Sequence, residues 1–157
     1  MTDRVRLPFA DVVGASHAAI DVSDIDRAVE FYTRVLGLEI FRDERAGGDP
    51  PNIKGMIGSF AIELAERREG EAHGDATRIP PIGAPCIAFT VLDARGAFER
   101  LRAQGVMTDA HVKETRGVKY FYVYDPDGYP FELIEFPGAA KTLGDLRAHG
   151  ERAAPGA

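Results

Sequence analysis

The chain of 157 residues has no tryptophan, one cysteine and four histidines. The single thiol, Cys86, excludes an intramolecular disulfide framework and fits a reducing, cytoplasmic setting. No apolar run approaches the roughly 20 residues that span a bilayer, and residues 1–10 hold no apolar segment of signal-peptide length. There is no run of Lys or Arg, and the net charge is −6, which argues against nucleic acid or an anionic membrane as partner. No glycine-rich phosphate loop follows a strand, and no nucleophile elbow occurs. What is present is ordinary for a globular protein, with 45% hydrophobic and 28% charged residues. The length suits one domain or two small fused modules.

Among these residues one run stands out, Asp125-Pro126-Asp127-Gly128-Tyr129-Pro130-Phe131-Glu132-Leu133-Ile134-Glu135-Phe136. Its first half is turn chemistry: Asp125 can bond its own backbone, Pro126 presets φ, and Gly128 accepts a positive φ. Its second half is an apolar strand interrupted by Glu132. A carboxylate there faces water, or else must be paired, hydrogen-bonded or bound to a metal.

In chain order, residues 1–14 read as an N-terminal arm. Residues 16–22 form a strand, and Ser23 or Asp24 caps a helix whose buried face is Ile25, Ala28, Val29, Tyr32, Val35 and Leu36, stopped by Gly37. Another strand starts at Leu38. Residues 43–58, rich in Gly and Pro, predict a loop with a short strand, and residues 60–66 the next strand. Residues 67–85 are a polar linker loop. The pattern then restarts: a strand over 86–91, a helix capped by Asp93 with Ala94, Ala97, Phe98 and Leu101 inward and Gly105 at its end, a strand within 106–115, one over 118–124, and the run described above. Residues 138–157 form a tail with a short helix over 141–149 and a disordered end.

The two halves are copies. Asp24 and Asp93 stand 69 positions apart (93 − 24). The same offset pairs Ala19 with Ala88, Val22 with Val91, residues 62–66 with 131–135, Glu63 with Glu132, and His17 with Cys86. Each half therefore reads strand, helix, strand, strand, strand: residues 15–66 and 86–137. Period-two alternation puts Ile20, Val22, Ile62, Leu64, Ile87, Phe89, Phe131 and Leu133 under the helices. His17, Glu63, Cys86 and Glu132 lie on the opposite faces. Two curved sheets with that face inward would gather the four groups in one cavity.

Two runs resemble the vicinal oxygen chelate superfamily, which includes the glyoxalase, bleomycin-resistance and extradiol dioxygenase families. One passes from residues 17–22 through Asp24 and Ala28 to Phe31-Tyr32 and Leu36-Gly37; the other is residues 125–135. The resemblance implies an α+β fold of two βαβββ modules forming a cup-shaped mixed β-sheet barrel, in a homodimer. It implies metal ligands at His17, Glu63, Cys86 and Glu132, with Cys86 where the glyoxalase branch has histidine.

The implied chemistry uses a divalent ion (Zn, Ni, Co, Mn or Fe) that chelates neighbouring oxygens of a small-molecule substrate, with Glu63 or Glu132 as base. That reading gives a metal-dependent isomerase, epimerase or lyase acting next to a carbonyl. The alternative is a metal-free binding or antibiotic-resistance protein of the same fold. A non-haem iron oxygenase ranks below both, because Cys86 breaks a two-His-one-carboxylate triad. On their own, His17 could be a hydrogen-bonded structural residue and Cys86 a small buried one. His73 reads as exposed, and His111 could line the cavity with Tyr120, Tyr122 or Tyr124.

Overall fold

Each half starts its helix with the same two acids. Asp24 accepts a bond from the Arg27 amide and Asp93 from the Gly96 amide, both at 2.9 Å. From the far end of each half, Glu66 accepts the Ile25 amide at 2.9 Å and Glu135 the Ala94 amide at 2.8 Å. Four carboxylates thus satisfy donors that a helix N-terminus leaves open, where the helix dipole also favours negative charge.

The computed structural model describes residues 16–67 and 86–138 together with Ala140, Thr142 and Asp145. The expected N-terminal arm, nearly all of the linker, His73, and the disordered end of the tail lie outside the described residues. Of the helix expected over 141–149, only Thr142 and Asp145 lie inside them.

The first module contains β1 (Ala18–Val22), α1 (Ile25–Leu36), β2 (Glu39–Asp43), β3 (Asn52–Ile57) and β4 (Phe60–Glu66). The second contains β5 (Ile87–Thr90), α2 (Ala94–Ala103), β6 (Lys113–Thr115), β7 (Val118–Tyr124) and β8 (Pro130–Glu135). Their sheets run β1-β4-β3-β2 and β5-β8-β7-β6, with the first pair parallel and the others antiparallel in each. The fold is therefore α+β with two mixed sheets, as the repeat implied. Residues 43–58 contain more strand than their composition predicted: β3 has six residues and buries Ile53 completely. Gly55 takes a core-facing position where an apolar side chain would stand, which weakens the alternation there.

Gly37 ends α1 at φ 72°, a conformation that costs glycine little. Among the described residues no helix is long and apolar enough to cross a membrane.

The helices sit between the modules rather than outside them. One core cluster takes Ile25, Ala28 and Tyr32 from α1, Ala97 and Phe98 from α2, and strand residues of both sheets. Phe131 of β8 is its hub, with ring centres 5.6 Å from Tyr32, 5.9 Å from Phe89 and 5.0 Å from Tyr129. The Asp-Pro-Asp-Gly turn locks the arrangement. Asp125, only 3% exposed, accepts bonds from Tyr32 Oη at 2.9 Å and from the Asp127 and Tyr129 amides at 2.9 and 2.8 Å. Gly128, at φ 85°, lets the turn close around it. Burial first, and then the Asp125 charge, push the Tyr32 phenol well above its ordinary range, so it remains a donor. Asp127 reaches the start of α1, accepting from the Ser23 amide at 2.9 Å and from Arg27 at 3.0 Å.

Removing one partner from a buried bond of this kind costs about 1–3 kcal/mol. Tyr32→Phe is expected to lose about that much in denaturant unfolding, and Asp125→Ala more, because it strands two backbone donors as well as the phenol. An Asp125→Ala variant of unchanged stability would contradict this account.

Asp127 gives a pH signature. Burial raises its carboxyl, but the Ser23 bonds and Arg27 outweigh that and hold it below the usual carboxylate range. A carboxyl depressed in the folded state stabilises above its unfolded value near 3.9, and that contribution disappears as pH falls through the folded value. Wild type should therefore be more stable than Asp127→Asn at pH 6, with the difference shrinking as pH falls below the usual carboxylate range. A constant difference over that range would contradict the linkage.

Candidate functional site

With the helices inward, the other face of each sheet is left open by the described residues. Ala19, Ala88 and Thr90 on those faces are exposed. On the first sheet, the parallel β1–β4 register sets Ala19 beside Glu63, and the β3–β4 register sets Lys54 on Glu63's other side. His17, one residue before β1, brings Nε2 to 3.5 Å from Glu63 Oε2, while its Nδ1 lies 3.0 Å from Ser16 Oγ. Lys54 Nζ lies 3.2 Å from the other oxygen, Glu63 Oε1. The same ammonium donates to Asn52 Oδ1 at 2.8 Å and to Glu44 Oε2 at 3.3 Å. Glu44 in turn accepts from Arg42 Nε at 2.8 Å. A line of alternating charge therefore crosses the first sheet and ends at His17.

On the second sheet the matching register is Ala88–Glu132–Tyr122. Tyr122 takes the place that Lys54 holds in the first. Glu132 has no hydrogen-bond or ion-pair partner among the described residues, and burial pushes its carboxyl above the usual range, with Lys113 opposing. Cys86 is exposed, with Sγ 3.6 Å from the Pro130 carbonyl and 3.7 Å from that of Ile87. Burial raises the thiol despite a backbone bond from Glu132, so it stays protonated. Burial, then Glu132 and Cys86, likewise raise the Tyr122 phenol. Lys113 Nζ stands 5.1 Å from the Tyr122 ring centre and 5.8 Å from that of Tyr120, tied to Asp109 at 2.8 Å.

The four sequence candidates thus form two pairs, His17 with Glu63 and Cys86 with Glu132. They do not converge within one chain, contrary to the single cavity expected. Among the described residues no group of three His, Cys, Asp or Glu side chains is placed to hold a metal. The cause is the shared core: packing the helix sides together turns the two polar faces apart, and the two sheets share no strand pairing. Tyr120, Tyr122 and Tyr124 lie on β7, with Tyr122 directly beside Glu132. His111 is exposed in the segment before β6. Lys54 and Lys113 escaped the sequence reading. Lys54 lies in the short strand expected within residues 43–58, but only the register of that strand sets it opposite Glu63.

The donors of the first pair fit a divalent ion. An imidazole nitrogen and a carboxylate oxygen, the donor types a divalent ion takes, face each other here. At 3.5 Å the two donors are close enough that both would reach one ion. Ser16 Oγ sits on the other ring nitrogen, the place an outer partner of a metal-bound histidine takes.

The comparisons with known proteins bear on the family and the fold. The family model described as the glyoxalase/bleomycin resistance protein/dioxygenase superfamily matches residues 14–133. The lactoylglutathione lyase of Salmonella typhimurium is 28% identical, covering 82% of this chain and 97% of its own length. A 2-epi-5-epi-valiolone epimerase from an Actinomyces species is 30% identical, with 82% of each covered. Among solved structures, a mutant of the fosfomycin resistance protein FosX from Listeria monocytogenes, complexed with Mn(II) and 1S,2S-dihydroxypropylphosphonic acid, superposes with TM-score 0.65 at 21% identity. It covers 87% of this chain and 98% of that one. With a model match across most of its length and both repeats in place, the chain belongs to the glyoxalase/bleomycin resistance protein/dioxygenase superfamily.

Proposed function

We propose that the protein is a metal-dependent enzyme that moves a proton next to a carbonyl in a small oxygenated molecule, as an isomerase, epimerase or lyase. We further propose that it works as a homodimer in the cytoplasm, where Cys86 stays reduced. The observation that carries this reading is the His17–Glu63 pair, whose imidazole and carboxylate face each other at 3.5 Å on an open sheet face. Two donors do not complete a site, and the remaining candidates lie on the other module's open face. A second copy that sets its Glu132 face against the His17 face of the first would supply them, and by symmetry two such sites would form.

His17, Glu63 and Glu132 would hold the ion. Bound there, a divalent metal supplies a Lewis acid for two neighbouring substrate oxygens. Imidazole and carboxylate suit Zn, Ni, Co, Mn or Fe. Cys86 adds a fourth donor only by losing its proton, which zinc favours most.

The two glutamates differ in freedom. Glu63 is engaged on both oxygens, by His17 and Lys54. Glu132 has no such partner among the described residues, and its raised carboxyl lies nearer the range in which a base can both take and return a proton. Glu132 is therefore the favoured proton carrier, and Tyr122 beside it orients the substrate. The lyase and epimerase relatives support this reaction class.

A second reading draws on the same contacts. Glu63 is already paired with Lys54, as it would be in a metal-free binding or resistance protein of this fold.

Metal analysis of protein purified under repletion separates the two readings. About one ion per subunit, lost in Glu132→Ala, is expected. A metal-free protein would contradict the enzyme reading. Mixing subunits tests the shared site: His17→Ala and Glu132→Ala should each bind no metal alone, yet hybrids should regain one ion per dimer. If the mixture stays empty although hybrids form, the site is not built across two copies.

A further inference from the structure

Lys54 puts an ammonium directly on Glu63, whereas Lys113, whose charge acts on Glu132, is bonded to Asp109 instead. At the equivalent register position, opposite Glu132, stands Tyr122. The Lys54 ammonium is held in place by Asn52 Oδ1 at 2.8 Å and Glu44 Oε2 at 3.3 Å, and it touches Glu63 Oε1 at 3.2 Å. Glu63 Oε2 meanwhile faces His17. Lys54 thus lies on the far side of the carboxylate from the gap in which a divalent ion would be held. Its side chain is 31% exposed and that of Glu63 25%, so water screens the contact only in part. The row Arg42, Glu44, Lys54 and Glu63 sums to zero charge, two cations against two carboxylates.

We infer that Lys54 is a built-in counter-cation that keeps the His17–Glu63 half-site from retaining a divalent ion by itself, so that loading waits for the additional carboxylate of Glu132. The inference rests on the metal-dependent reading above. A unit positive charge a few ångströms from a doubly charged ion repels it, even at water-like screening, by an amount that weakens binding on the order of tenfold. Lys54 cannot swing clear of Glu63 without giving up Asn52 and Glu44, so the repulsion is structural. Glu132 brings a negative charge with no ammonium bonded to it, which turns a neutral half-site into a net negative site. The device would couple metal retention to assembly: an unassembled subunit sheds the ion, and the completed site keeps it.

Co(II) titration of the full chain tests this through calorimetry and the visible absorption of bound cobalt, neither of which needs a substrate. Lys54→Gln, which removes the charge and keeps a polar side chain, is expected to tighten Co(II) binding about tenfold. Lys54→Arg, which keeps the charge, should bind as wild type does. In the Glu132→Ala background cobalt binding should be lost, and adding Lys54→Gln should bring back weak binding at His17 and Glu63. Equal or weaker binding by Lys54→Gln overturns the counter-cation role, as does a double variant that stays empty. If wild type takes up no cobalt at all, the metal-dependent reading fails and this inference with it. The two failures are therefore distinguishable.

Discussion

The architecture depends on the contact between the Asp-Pro-Asp-Gly turn and the first helix. Asp125 is the buried charged residue of the described core, and it is tolerated there because a phenol and two backbone amides donate to it. Tyr32 supplies the phenol and also lays its ring against Phe131. A single residue of the first module thus meets both the turn and the central strand of the second. With that contact in place the helix sides of both sheets are committed to one core, and each polar face is left for something else. Where the candidate residues end up is a consequence of this packing.

The acids repeated at the 69-residue offset divide by the face they occupy. Asp24, Asp93, Glu66 and Glu135 point to helix N-termini and are consumed by capping. Glu63 and Glu132 point away from the helices. Glu132 remains unbonded among the described residues, while Glu63 is shared between an imidazole and an ammonium. Identical residue type and identical spacing therefore carry two different meanings, and strand alternation decides between them. The same rule explains why Glu132 sits three residues from Glu135 and shares none of its role.

Much of this was legible before any coordinates. The caps, the buried helix faces, the β4 and β7 bounds and the matched His17, Glu63, Cys86 and Glu132 positions all follow from short-range chemistry and a visible repeat. Less legible was anything that depended on how the modules meet. Both glutamates were assigned to the correct faces, but alternation within a strand does not say whether two such faces point toward one another. That is decided by Tyr32, Phe131 and Asp125, residues far apart in sequence. β3 is longer than its composition suggests because Gly55 stands at a core-facing position. Lys54 gives no signal of its own as a site residue, since its importance comes from a cross-strand neighbour.

The site's electrostatics suit division of labour between its halves. One face offers an oriented histidine and a glutamate balanced by lysine; the other offers a freer glutamate, a protonated thiol and a tyrosine. Neither is complete, and the central claim is that they complete each other across two copies. Crystals grown with zinc or cobalt, and mapped by anomalous scattering at the metal edge, test that claim most directly. The account predicts a peak bounded by His17 and Glu63 of one copy and Glu132 of another. An anomalous map without a peak at His17 and Glu63, or with the ion held by residues of one chain alone, would contradict it.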